Sequence, residues 1–117
     1  RLGTLAGGLS GGQRQALALI MATIANPDIL LLDEHTAALD PKSADTVMQL
    51  TDRLVKEKNI TTLMITHNLR YAVEYGTRTV MMHDGKAIMD ISGDEKKKHT
   101  TDDYLKTFNE ISIECGN

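Results

Sequence analysis

Ile29-Leu30-Leu31-Leu32-Asp33-Glu34 is the stretch on which the reading of the chain turns. Four aliphatic residues in a row show no polar alternation and are too few for an ordinary helix. That pattern predicts a strand buried on both faces, with two carboxylates at its end. Upstream, Gln13 to Asn26 reads as a helix. Ser10 is a good N-cap, and Asn26-Pro27 a good stop, because the residue before a proline avoids the helical region. Ala16, Leu17, Leu19, Ile20, Ala22 and Ile24 surround most of this helix, which predicts packing on several sides.

Downstream, Asp40-Pro41 starts a second helix, with Asp40 as N-cap and Pro41 at the first helical position. Val47, Leu50, Leu54 and Val55 keep helical spacing up to about Lys58. Thr61 to Ile65 is a second strand of the buried type, ending in Thr66-His67, and a short helix from Leu69 to Tyr75 follows. Arg78 to His83 and Lys86 to Ile91 form a hairpin through Asp84-Gly85, a strong turn signal. Lys96-Lys97-Lys98 reads as a solvated loop, and Asp102 to Ile111 as a weak helix. Strand, helix, strand, helix, strand implies an α/β layer with parallel strands and right-handed crossovers. In such sheets reactive groups gather beyond the carboxyl ends of the strands, where Asp33-Glu34 and His67 both fall.

Composition narrows the classes. The chain has 117 residues, 13 Lys and Arg against 16 Asp and Glu, and a net charge of −3. A single domain of this size has room for one core. Three Tyr, one Phe and no Trp predict an aliphatic core. The mild acidity argues against nucleic-acid binding by bulk charge. The one cysteine, Cys115, cannot form an intrachain disulfide, so it reads as an incidental thiol in a reducing compartment. No apolar run is long enough to span a bilayer. The opening Arg1-Leu2-Gly3-Thr4 lacks both an initiator Met and a signal peptide, which suggests a fragment.

Three elements carry chemistry. Gly3, Gly7, Gly8, Gly11 and Gly12 crowd the first dozen residues, and Leu9-Ser10-Gly11-Gly12-Gln13 leads into a helix. Backbone N–H groups at the positive end of a helix dipole, with the Ser10 hydroxyl beside them, make an anion site; the same residues also suit a flexible turn with a normal cap. Asp33 and Glu34 could hold a metal ion and accept a proton from water, or form a solvated acidic loop. His67 could donate to a phosphate oxygen or orient a water, or be structural. His35, His83 and His99 have no partner pattern in the sequence and read as structural.

In this order and spacing, the elements resemble the C-terminal half of an ABC-type ATPase nucleotide-binding domain. The resemblance runs from about Leu5 to Ile91, within a chain whose residues 1–117 it reads as the C-terminal part of such a domain. Leu9 to Gln13 matches the signature LSGGQ in full. Ile29 to Asp33 resembles the Walker B strand, and Glu34 stands where the family places its catalytic glutamate. Ala38-Leu39-Asp40 resembles the D-loop, and His67 the switch histidine. The fold it implies is a P-loop NTPase-like layered parallel sheet with flanking helices and a C-terminal β-hairpin.

The resemblance also implies roles. Asp33 would help hold Mg²⁺, Glu34 would act on the attacking water, and His67 would contact the γ-phosphate. Ser10, Gly11, Gly12 and Gln13 would bind ATP held by the opposite subunit, with Asp40 at the subunit interface. The chemistry would be in-line phosphoryl transfer to water, in a dimer that works with membrane permease subunits on the cytoplasmic face of the cell membrane. No nucleic-acid partner is expected.

Two departures stand out. The family usually has proline after the catalytic glutamate, where this chain has His35; losing the fixed φ predicts a looser turn. The phosphate loop G-x-x-x-x-G-K-[ST] is absent from the 117 residues. At Asp84-Gly85-Lys86 the first glycine is replaced by Val80, and Ala87 follows the lysine. Alternative readings are a soluble ABC ATPase of repair, translation or cluster assembly, and a non-catalytic interaction module. A chain lacking the strand that precedes the phosphate loop is expected to expose strand edges and apolar faces, and to self-associate.

Overall fold

The computed structural model describes residues 10–114; Leu5, Leu9, Cys115 and the glycines at 3, 7 and 8 lie outside that range. The chain is α/β and divides into two compact units, residues 1–66 and 67–117.

The first unit holds α1 (Gly11–Ile24), β1 (Ile29–Asp33), α2 (Pro41–Lys58) and β2 (Thr61–Ile65). Ser10 and Gln13 form a reciprocal capping box at the start of α1. The helix ends two residues earlier than its sequence suggests, because Asn26, ahead of Pro27, takes a left-handed φ of 50°. Asp40 caps α2 with Pro41 in its first turn, and Asn59 closes the helix in the left-handed region. β1 and β2 pair in parallel, with Leu30 opposite Thr62, Leu32 opposite Met64 and Asp33 opposite Ile65.

The core lies on one side of this pair. Leu19 of α1, Leu30 and Leu32 of β1, and Ile60 are buried, with Leu50, Leu54 and Val55 of α2 and Met64 of β2 packed on them. The other side corrects the expectation of burial on both faces. Ile29, Leu31, Leu63 and Ile65 are 54%, 66%, 57% and 51% exposed. Helix α1 is likewise covered on one side only: Leu19 and Thr23 are buried, whereas Met21 and Ile24 are exposed. An unbroken apolar run reports what its two faces are made of and carries no information about which layer covers them.

The second unit holds α3 (Leu69–Glu74), β3 (Arg78–His83), β4 (Lys86–Ser92), α4 (Gly93–Lys97) and α5 (Thr101–Glu114). β3 pairs antiparallel with β4 and not with β2, so the parallel sheet among the described residues has two strands. Asp84 and Gly85 both take positive φ, 49° and 75°, the geometry of a two-residue hairpin turn. The core here is not purely aliphatic. Tyr71 and Tyr104 are buried with Ile91, and the Tyr104 hydroxyl donates to Thr79 Oγ1 at 2.9 Å, which satisfies its polar end.

The lysine run is also not simply a solvated loop. Lys97 and Lys98 are exposed, but Lys96 is buried. Its Nζ donates to the carbonyls of Val73, Tyr75 and Gly76 at 3.2, 2.6 and 3.1 Å. These oxygens lie at and beyond the end of α3, where carbonyls lack intrahelical partners and the dipole favours a cation. Burial lowers the Lys96 pKa, and three acceptors match the three protons of an ammonium group.

Candidate functional site

The residues singled out in the first unit sit at helix starts and at the end of β1. At the start of α1, the Gln13 N–H donates to Ser10 Oγ at 3.1 Å, and the Ser10 N–H donates to Gln13 Oε1 at 3.0 Å. The Arg14 N–H makes the first backbone bond of the helix, to the Ser10 carbonyl at 2.9 Å. The N–H groups of Gly11 and Gly12 therefore precede the ladder. At the start of α2, the Ser43 N–H donates to Asp40 Oδ2 at 3.1 Å. Hydrogen bonds from Ser43, the hydroxyl first and then the N–H, hold the exposed Asp40 carboxyl below the usual carboxylate range.

These two helix starts approach closely. A Cβ added at Gly12 would stand 3.1 Å from Ser43 Cβ, and one at Gly11 would stand 3.2 Å from Leu39 Cδ2. Gly12 thus has a packing reason as well as the chemical one, since it lets α1 meet the first turn of α2, whereas Gly11 faces the flexible end of Leu39. A cleft of about 240 Å³ opens beside this meeting, with Ser10, Gly12, Gln13, Lys42, Ser43 and Thr46 among its lining residues. Ala16, Val47 and Leu50 complete a mostly apolar lining, so the capacity to bind an anion lies in the helix starts themselves rather than in the cleft.

Asp33 ends β1 and is exposed; Glu34 follows, half-buried, with φ of 50°. The Glu34 N–H donates to the Ile65 carbonyl at 2.8 Å, and its own carbonyl accepts from the Ala37 N–H at 3.1 Å. Its side chain therefore leaves the strand at a left-handed turn, a conformation that costs a non-glycine residue about 1–2 kcal/mol. His67 belongs to the second unit and is exposed, just before the cap of α3 at Asn68. Among the described residues no group of three or more His, Cys, Asp or Glu side chains could hold a metal ion. No helix there is long and apolar enough to cross a membrane.

Sequence reasoning missed the surroundings of His35. Gln15 Nε2 donates to the His35 carbonyl at 2.7 Å, and His35 Nε2 lies 3.1 Å from Thr51 Oγ1. The turn after Glu34 is therefore tied to α1 and to α2, where the missing proline had predicted a looser one. Burial lowers the His35 pKa, which favours the neutral ring. Only the substitution of proline by a residue with a donor hinted at this; Gln15 and Thr51 carry no local signal.

Comparison with known proteins gives concordant results. Residues 1–37 match the family model described as ABC transporter. A tyrosine transport ATP-binding protein of Clostridioides difficile (strain R20291) is 56% identical over 100 residues, covering 86% of this chain and 40% of that protein. The energy-coupling factor transporter ATP-binding protein EcfA2 of Bacillus cereus (strain ATCC 14579) is 38% identical over 91 residues, 78% of this chain and 31% of the relative. The phosphonates import ATP-binding protein PhnC 1 of Haloquadratum walsbyi is 38% identical over 98 residues, 84% of this chain and 32% of the relative. The chain thus spans 40% or less of the length of these curated relatives.

Proposed function

The chain belongs to the ABC transporter family of ATP-binding proteins, and from that premise we propose that it is the C-terminal part of the ATPase domain of a transport subunit. In this reading two such subunits close on ATP and drive solute movement through a separate membrane permease, from the cytoplasmic face of the cell membrane. The names of the relatives, all ATP-binding proteins of transport systems, support transport over repair or translation. The observation that supports the site is the close approach of two capped helix starts, Ser10–Gln13 and Asp40–Ser43, with the N–H groups of Gly11 and Gly12 ahead of the hydrogen-bond ladder.

The residues take the roles that the family resemblance implies, and their chemistry suits those roles. The N–H groups of Gly11 and Gly12 and the Ser10 hydroxyl donate to the γ-phosphate of ATP held by the other subunit, and Gln13 braces Ser10 from within the capping box. Asp40 fixes the start of α2 at the subunit interface. Glu34 orients the attacking water and accepts its proton. His67 donates to a γ-phosphate oxygen. The exposed carboxylate of Asp33 suits Mg²⁺, which needs only one or two carboxylates beside phosphate oxygens and water. When bound, the ion would offset phosphate charge.

The decisive test is Glu34→Gln in the complete subunit with its permease. MgATP binding should persist while hydrolysis slows about 10²–10⁴-fold, the usual contribution of a general base. Unchanged turnover would overturn the assignment. The 117-residue chain alone, without a phosphate loop, should show no tight MgATP binding in calorimetric titration.

A further inference from the structure

The turn that carries Glu34 is held from outside by side chains that no catalytic role explains. Glu34 sits at φ of 50°, where a glutamate has no intrinsic reason to stay. β2 fixes its N–H, through the Ile65 carbonyl. The His35–Thr36 peptide, one residue further on, is fixed by Gln15, whose amide donates to the His35 carbonyl at 2.7 Å. The His35 ring then anchors to α2. The Thr51 hydroxyl donates to the Val47 carbonyl at 2.7 Å, so its oxygen receives from His35, and His35 carries its proton on Nε2. Thr51 is buried, which makes this end of the chain of bonds rigid.

We propose that Gln15, His35 and Thr51 are positioning residues for Glu34: together they hold its backbone in the left-handed turn and so aim its carboxylate. Gln15 stands on α1, two residues beyond the signature, so the same helix that presents Ser10 to a nucleotide also grips the turn at the peptide that follows His35. Here His35 replaces the stiffness that proline would give with two hydrogen-bonded anchors. The proposal rests on the reading of Glu34 as the water-activating residue.

The test is a double-mutant cycle on ATP hydrolysis by the complete transporter. Gln15→Leu keeps the side-chain bulk but removes the donor. It should lower kcat about tenfold with KM for ATP within about twofold, since sub-ångström misplacement of a catalytic group acts on the chemical step. On a Glu34→Gln background the same change should cost less than about twofold, because there is no carboxylate left to aim. Thr51→Val should lower kcat in the same way and Thr51→Ser should restore it; this pair carries the test if Gln15→Leu folds poorly. Equal losses from Gln15→Leu in both backgrounds, or a change confined to KM, would overturn the positioning role while leaving Glu34 in place. Full activity of Glu34→Gln alone would overturn the reading of Glu34, and this proposal with it.

Discussion

A methyl group on Gly12 would crowd α2. The added Cβ would lie 3.1 Å from Ser43 Cβ and 3.3 Å from Ser43 Oγ, closer than ordinary van der Waals contact. Gly12→Ala should therefore require Ser43 to shift by a few tenths of an ångström, and the denaturant midpoint reads whether that cost exceeds the helix propensity gained over glycine. Loss of activity in that variant would be partly structural and no direct measure of phosphate contact. His35 gives a pH dependence of definite sign. Its folded pKa is lowered by burial, so between its folded value and about 6.5 the unfolded chain binds more protons than the folded one. Stability should be full above about pH 6.5 and should fall as the pH drops through the folded pKa. In His35→Gln the acid limb of a midpoint-against-pH curve should be shallower; an identical curve would refute this.

At the scale of elements, the features legible in the sequence are those decided within a few residues. Ser10 with Gln13, Asp40 with Ser43, and the Asp84-Gly85 turn each depend on a cap or a φ value that neighbouring residues determine. The candidate residues Asp33 and Glu34 were found in the same way, as the end of an apolar run. What the sequence could not convey was set by distant partners. Lys96 looked like one of three equivalent lysines, yet its ammonium serves carbonyls about twenty residues earlier in the chain. His35 looked isolated because Gln15 and Thr51 lie twenty and sixteen residues away. Lys96→Met should leave the stem packed and three carbonyls without their donor, lowering the stability of the second unit by about 1–3 kcal/mol in thermal melts. Lys97→Met, on an exposed neighbour, should change it by less than about 0.5 kcal/mol.

At the scale of the molecule, the parallel pair has one dressed face and one bare face. Among the described residues, Ile29, Leu31, Leu63 and Ile65 present aliphatic surface to water on a sheet of two strands. Contiguous apolar surface beside unpaired strand edges drives association. The isolated 117-residue chain should scatter light as a species larger than a monomer. Leu31→Thr combined with Leu63→Thr should move it toward the monomer without altering its far-ultraviolet circular dichroism. A monodisperse monomer for the unsubstituted chain would contradict this. The buried Lys96 offers a different use at the same scale: it is a clock. An amine-acylating reagent in native buffer should mark Lys97 and Lys98 at once and Lys96 only when the second unit opens. The lag between neighbouring residues, read by peptide mass spectrometry, would time the breathing of that unit from a single chemical label.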